Sequence, residues 1–188
     1  MGEDFVTIVS GLPRSGTSMM MRMMEAAGIP VITDKLREAD EDNPAGYYEF
    51  EPVKGQDHSW LADAPGKAVK LVYRLLYDLP NTYRYRVLFM RRRLEEVLAS
   101  QKKMLERHGK ADNSITDEMM AKMFRSQLNK FEAWIPTQPQ FSMIDVDYNA
   151  LLANPDDPID QINRFLGGNL DTDAMVRVVD PNLYRNRK

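Results

Sequence analysis

The sequence predicts an α/β fold, a three-layer sandwich in which a central, mainly parallel sheet is flanked by helices. Three observations lead there. The N-terminal segment runs from an apolar strand through a glycine-bounded loop into a helix. Further β-rich runs alternate with helical stretches along the rest of the chain. The 188 residues, 43% of them apolar, suffice for one sizeable core but not for two ordinary domains, so residues 1–188 are read as a single domain.

Phe5 to Val9 is a β-branched run ending in Ser10-Gly11, and from Ser15 to Ala27 the chain turns Met-rich and helical before stopping at Gly28-Ile29-Pro30. Met19 to Met24 are read as core filler, since thioether side chains at helical spacing adapt to irregular gaps. Asp34 to Pro52 is dense in acids and turn formers, with Asn43-Pro44-Ala45-Gly46 inside it, and is expected to be a long functional loop. Trp60-Leu61 ends a short helix, and Ala68 to Tyr73, introduced by Pro65-Gly66, is the second strand. Arg86 to Met90 is the third. Leu94, Val97, Leu98 and Leu105 then mark a helix to Arg107, closed by His108-Gly109. Thr116, followed by Asp117 and Glu118, has the form of an N-cap with acids in the first turn, opening a helix to Trp134 that Pro136 stops. Phe141 to Val146 is the fourth strand and Pro158 to Leu166 the last helix, closed by Gly167-Gly168. Strands separated by helices imply right-handed crossovers and parallel pairing.

The bulk charge narrows the function. A formal net charge of -3 gives no overall attraction to nucleic acid or anionic membranes, so local basic clusters must carry any anion binding. With no cysteine there is no disulfide, no thiolate chemistry and no thiolate-bound zinc. The two histidines and scattered acids form no metal-ligand spacing, and no metal is expected. Met1-Gly-Glu-Asp-Phe5 lacks the regions of a secretory signal, and no stretch reaches the roughly 18 apolar residues of a membrane span. A cytoplasmic location without a membrane span is the expectation.

Gly11-Leu-Pro-Arg-Ser-Gly-Thr-Ser18 has the Gly-x4-Gly spacing of a Walker A loop, in which backbone N–H groups and a helix N-terminus surround a phosphate. The lysine that should follow the second glycine is replaced by Thr17, and the cation stands earlier, at Arg14. The displaced cation argues against an ATPase or GTPase and for a ligand whose anionic group is placed differently from ATP's, with a P-loop kinase or nucleotide hydrolase of displaced lysine as the alternative.

Pro13-Arg14-Ser15-Gly16-Thr17-Ser18 after an apolar strand resembles the 5'-phosphosulfate loop of the sulfotransferase family. A second element resembles the family independently: Arg92 at a strand end with Ser100 eight positions later on the next helix, the pair that holds the nucleotide 3'-phosphate. The family's Asp-Pro after the arginine is replaced by Arg93-Leu94, leaving Arg91 and Arg93 as substitutes. The loop with Asp40-Glu-Asp-Asn-Pro44 and Gly46-Tyr-Tyr-Glu49, and the segments Tyr148-Asn-Ala-Leu-Leu-Ala-Asn-Pro155 and Phe165-Leu-Gly167, resemble small bacterial members, so the likeness runs from about residue 6 to 187.

The resemblance implies a sulfotransferase-like P-loop fold and an enzyme that moves a sulfuryl group from 3'-phosphoadenosine 5'-phosphosulfate to an acceptor hydroxyl or amine on a small molecule or glycan. Arg14 and the loop residues Ser15 to Ser18 would hold the 5'-phosphosulfate, and Arg92, Ser100, Arg185 and Arg187 the 3'-phosphate. Lys70 matches the lysine of the family's Lys-x-His pair and is the candidate second cation on the leaving group. Val72 stands where the histidine belongs, so the acceptor's base is sought in Asp34, with Glu49 and His58 as alternatives. Tyr47, Tyr48 and Trp60 either line an acceptor pocket or pack the loop. Loss of the histidine also keeps open a non-catalytic nucleotide-binding protein of the same fold.

Overall fold

The computed structural model describes residues 5–34, 36, 46–109 and 116–179. Within them five strands, β1 (Phe5–Gly11), β2 (Val31–Ile32), β3 (Ala68–Lys70), β4 (Arg84–Arg91) and β5 (Phe141–Asp147), form one sheet in the order β2-β3-β1-β4-β5. Every pairing is parallel. Six α-helices accompany them: α1 (Thr17–Ala26), α2 (Leu94–Arg107), α3 (Asp117–Trp134), α4 (Tyr148–Ala153), α5 (Asp156–Leu166) and α6 (Thr172–Val178).

Parallel strands are covered on both faces, and their sequences show it. In β4, Tyr85, Val87 and Phe89 join the core on the side of α2 and α3, while Leu88 and Met90 join the core on the side of α1, α4, α5 and α6. In β1, Val6 and Ile8 face the first core and Val9 the second. The methionines of α1, Met19, Met20, Met21, Met23 and Met24, are all buried in that second core, as core filler should be.

Short β2 is an addition to the expected four strands: Pro30 delivers Val31–Ile32 alongside Ala68 and Val69, where two residues suffice to pair. β3 stops at Lys70 rather than Tyr73, because Tyr73–Asp78 coils into a 3-10 turn that buries Tyr73 and Leu76. β4 is longer than expected at both ends, and α5 begins two residues before Pro158, which fits the first turn of a helix where its missing N–H costs nothing. Helices α4 and α6 lack a sequence signal of length but are capped: Asp147 Oδ1 accepts from Asn149 and Ala150 N–H, and Asp171 Oδ1 from Ala174 N–H.

Because all strands point the same way, their carboxyl ends share one edge. The chain leaves β1 toward β2 on one side and leaves β4 toward β5 on the other, which opens a crevice between the two strand ends. Gly11, opposite Met90, and Arg91, opposite Asp147, stand at that edge.

Candidate functional site

The loop from Leu12 to Gly16 turns back on itself: Ser15 donates to the Leu12 carbonyl from its backbone N–H at 3.2 Å and from its hydroxyl at 2.7 Å. Two glycines make the turn possible. Gly11 has φ 148°, and a Cβ there would lie 2.6 Å from Ser15 Oγ and 2.8 Å from the Met90 carbonyl. Gly16 has φ 99°, and a Cβ there would overlap the Tyr148 ring. Arg14 adopts a left-handed conformation, φ 69°, without being glycine, which marks a backbone held by its surroundings. Helix α1 then starts from Gly16 with no side chain capping it, so its first N–H groups and the positive end of its dipole face the crevice. A glycine cradle, an uncapped helix start and adjoining cations fit the oxygens of a phosphate or sulfate ester.

The two sequence elements meet here. Arg14 Nε donates to Ser100 Oγ at 3.0 Å, joining positions 86 apart in the chain. Arg92 Nη1 donates to the Arg14 carbonyl at 3.1 Å, so the arginine after β4 grips the loop after β1. The Arg92 guanidinium also lies over the Tyr148 ring, 4.7 Å from its centre, and its Nε pairs with Glu96 Oε2 at 2.9 Å. Pro13 is exposed, Arg14, Thr17 and Ser18 are half-buried, and Ser15 and Ser100 are buried.

The substitutes named beside Arg92 are employed differently. Arg91 is bound to Glu132 on α3 at 2.7 Å and to Asp145 on β5 at 2.8 Å, an ion-pair network that ties α3 to the sheet. Arg93 is exposed and presents its backbone N–H to Asn149 Oδ1 at 3.5 Å.

On the other side of β1, Lys70 is opposite Val9, one strand over from the loop. Its Nζ lies 3.9 Å from Glu49 Oε1 and 5.9 Å from the centre of the Tyr47 ring. The pair is half-sheltered, with the Lys70 side chain 14% and the Glu49 side chain 30% exposed. Asp34 sits differently. Its Oδ1 accepts from Leu36 N–H at 3.0 Å and its Oδ2 from Glu51 N–H at 2.7 Å, and these backbone donors hold its carboxyl below the ordinary aspartate range. The segment around Glu49 is pinned to β2's exit, since Asp34 N–H and the Thr33 hydroxyl both donate to the Glu49 carbonyl. Tyr48 fixes it to α1 by donating to Glu25 Oε2 at 2.6 Å; burial first, then this carboxylate, pushes its phenol up.

His58 is half-buried at the start of the Ser59–Asp63 turn, where its carbonyl accepts from Leu61 N–H, and none of the contacts above involves it. Val72, in the place of the absent histidine, is 40% exposed before the Tyr73–Asp78 turn. Arg185, Arg187 and the acidic stretch Asp40 to Pro44 lie outside the described residues. Among the described residues no three His, Asp or Glu side chains gather as metal ligands, and no helix is long and apolar enough to cross a membrane.

Sequence reading missed Glu96, Asn149 and Tyr148 as members of this site. The available signal was the spacing of Arg92, two residues before α2, from Glu96 in the first turn of that helix, four positions that let opposite charges meet.

Solved sulfotransferase structures share the architecture. A sulfotransferase from Mycobacterium tuberculosis superposes with a TM-score of 0.64 at 18% identity, over 94% of this chain and 71% of that one. The sulfotransferase domain of the curacin biosynthetic pathway gives 0.53 at 15% identity, covering 96% of this chain and 79% of that one. The sulfotransferase domain of a Synechococcus olefin synthase gives 0.51 at 14%, covering 100% and 84%. This chain therefore has the α/β fold of those sulfotransferases. No protein-family profile matches its sequence, and no curated protein sequence matches it significantly.

Proposed function

We propose that the chain, as one domain, is a sulfotransferase that takes 3'-phosphoadenosine 5'-phosphosulfate as donor and a small-molecule or glycan hydroxyl or amine as acceptor. The observation that carries this reading is the meeting of Arg14, Ser100 and Arg92 at the crevice between β1 and β4. A loop built for one anionic group is there joined to an arginine and a serine suited to a second, which matches a nucleotide phosphorylated at both its 5' and 3' ends. A Walker A protein has its lysine directed at the β/γ-phosphates; Thr17 offers only a hydroxyl.

When bound, the donor supplies an activated sulfuryl group on a phosphate leaving group. Arg14 and the N–H groups at the start of α1 neutralise the charge that grows on the bridging oxygen as the sulfur–oxygen bond to phosphate breaks. Lys70 adds a second cation from the β3 side. Glu49, beside Lys70, takes the proton of the acceptor as its oxygen or nitrogen bonds to sulfur, and adenosine 3',5'-bisphosphate leaves. Asp34 is the weaker candidate for that proton, because both of its oxygens already accept backbone N–H groups and its basicity is lowered. Its role is to hold the loop that carries Glu49. Tyr47, over Lys70, belongs to the acceptor side.

Calorimetric titration with adenosine 3',5'-bisphosphate, AMP and ATP with magnesium tests the donor site. Clear preference for the bisphosphate is expected, reduced about ten- to a hundredfold in Arg92→Ala; equal or tighter ATP binding would overturn the reading. Transfer of labelled sulfate to a panel of hydroxyl and amine acceptors tests the chemistry. Glu49→Gln should lose about 10²–10⁴ in turnover while keeping nucleotide affinity, and Asp34→Asn and His58→Ala should lose far less. A panel without turnover in the native protein would favour the non-catalytic nucleotide-binding alternative.

A further inference from the structure

Behind the crevice, Glu96 is a carboxylate with 1% of its side chain exposed. Its two oxygens serve two different elements. Oε2 accepts from Arg92 Nε at 2.9 Å, and Oε1 accepts from Asn149 Nδ2 at 3.0 Å, across from α4. Asn149 in turn accepts the Arg93 backbone N–H through Oδ1. The Arg92 guanidinium is thereby restrained at three places: at Nε by Glu96, at Nη1 by the Arg14 carbonyl, and on its face by the Tyr148 ring. Burying a carboxylate is a poor route to stability, since desolvation offsets its attraction to the arginine. What the carboxylate supplies is direction: one oxygen holds Arg92 Nε while the other is anchored by Asn149, and a planar guanidinium held at both Nε and Nη1 has its orientation set.

We propose that Glu96 and Asn149 form a buried clip that aims Arg92 and, through the Arg14 carbonyl, sets the phosphate loop, so that recognition of the 3'-phosphate depends on a carboxylate standing behind the binding arginine. Glu96 is thus a positioning residue. The proposal rests on the reading of Arg92 as a 3'-phosphate ligand. It also explains Arg14: a non-glycine residue at φ 69° keeps that conformation when its carbonyl has a fixed donor, and Arg92 is that donor.

The donor and acceptor inventory supplies a specific test. A carboxylate accepts at both oxygens, whereas an amide accepts at one and donates at the other. Glu96→Gln can therefore satisfy Arg92 Nε or Asn149 Nδ2 but not both. Adding Asn149→Asp restores the match, because the new carboxylate receives the amide donor and still accepts the Arg93 N–H. Affinities for adenosine 3',5'-bisphosphate and for AMP are measured by calorimetry on the native chain, Glu96→Gln, Asn149→Ala, Arg92→Ala and the E96Q/N149D double variant, with a thermal melt of each.

The expected result is a roughly tenfold fall in the bisphosphate-to-AMP preference in Glu96→Gln, a smaller fall in Asn149→Ala, and recovery in the double variant. Equal losses for both nucleotides, or a lowered melting temperature with the preference intact, would reduce Glu96 to a structural residue and overturn the proposal. If Glu96→Gln does not fold, Asn149→Ala, at the half-buried end of the clip, carries the same comparison. Native preference lost in Arg92→Ala but kept in both clip variants sinks the clip alone. A preference that Arg92→Ala leaves untouched sinks the donor-site reading, and the clip with it.

Discussion

Gly16 shows how much of this site depends on a missing side chain. Its φ of 99° places it where an L-residue is strained, and the space that a Cβ would need is filled by the Tyr148 ring, which also backs Arg92. Gly16→Ala therefore strikes the loop and the arginine together. It is expected to lower stability by about 1–3 kcal/mol and to weaken adenosine 3',5'-bisphosphate binding more than tyrosine-ring adjustment alone would. Thermal melting and calorimetry check the two effects, and native affinity in a folded variant would mean that the loop tolerates a side chain. The individual residues of the loop were legible in the sequence because Gly-x4-Gly spacing and a displaced cation are local patterns. Glu96 was less so: its spacing from Arg92 allowed an ion pair, but a glutamate in the first turn of a helix is ordinarily a solvated favourable charge, and its burial and its bond to Asn149 on α4 belong to the tertiary structure.

Thr116 represents the opposite case, an element end written plainly in the chain. Its side chain accepts from Met119 N–H at 3.2 Å, and Asp117 and Glu118 occupy the first turn of α3. Thr116→Ala should cost about 1 kcal/mol, seen as a lower denaturation midpoint and faster hydrogen exchange in the first turn of α3. Phe124 and Phe131 further along the helix stay buried against β4 and should keep their protection. Unchanged exchange in that turn would show that the packing, not the cap, holds the helix start. The short helices α4 and α6 and the turn after β3 escaped the sequence reading for physical reasons. In α4 the last residue of β5, Asp147, is itself the cap, so strand passes into helix without the turn residues that announce a boundary. The 3-10 turn Tyr73–Asp78 escaped because its apolar residues suit a strand equally well until the core claims Tyr73 and Leu76.

Cohesion of the sheet rests on β1, which pairs with β3 on one side and β4 on the other while feeding the phosphate loop. Ile8 is fully buried at its middle. Ile8→Ala should destabilise the fold by about 2–5 kcal/mol, lowering the urea midpoint while leaving the slope unchanged, as a cooperative core loss does. A changed slope or two separate transitions would show instead that the two faces of the sheet unfold apart. The same strand explains why stability and binding are coupled here: whatever shifts β1 against β4 shifts Gly11 against Met90, and with them the loop that Arg92 grips.

Taken alone, the sequence determined the strand-loop-helix start, the α/β class with its parallel strands, and the Arg92 to Ser100 spacing, because each is set by neighbours along the chain. Local spacing cannot say which distant residues share a face. Tertiary structure decided that Arg14 reaches Ser100, that Asp34 spends its carboxylate on the Leu36 and Glu51 backbone, and that Glu49 faces Lys70. It also decided that Glu96, Asn149 and Tyr148 close around Arg92, since β5 and α4 come to that edge only through the order in which the strands are laid side by side.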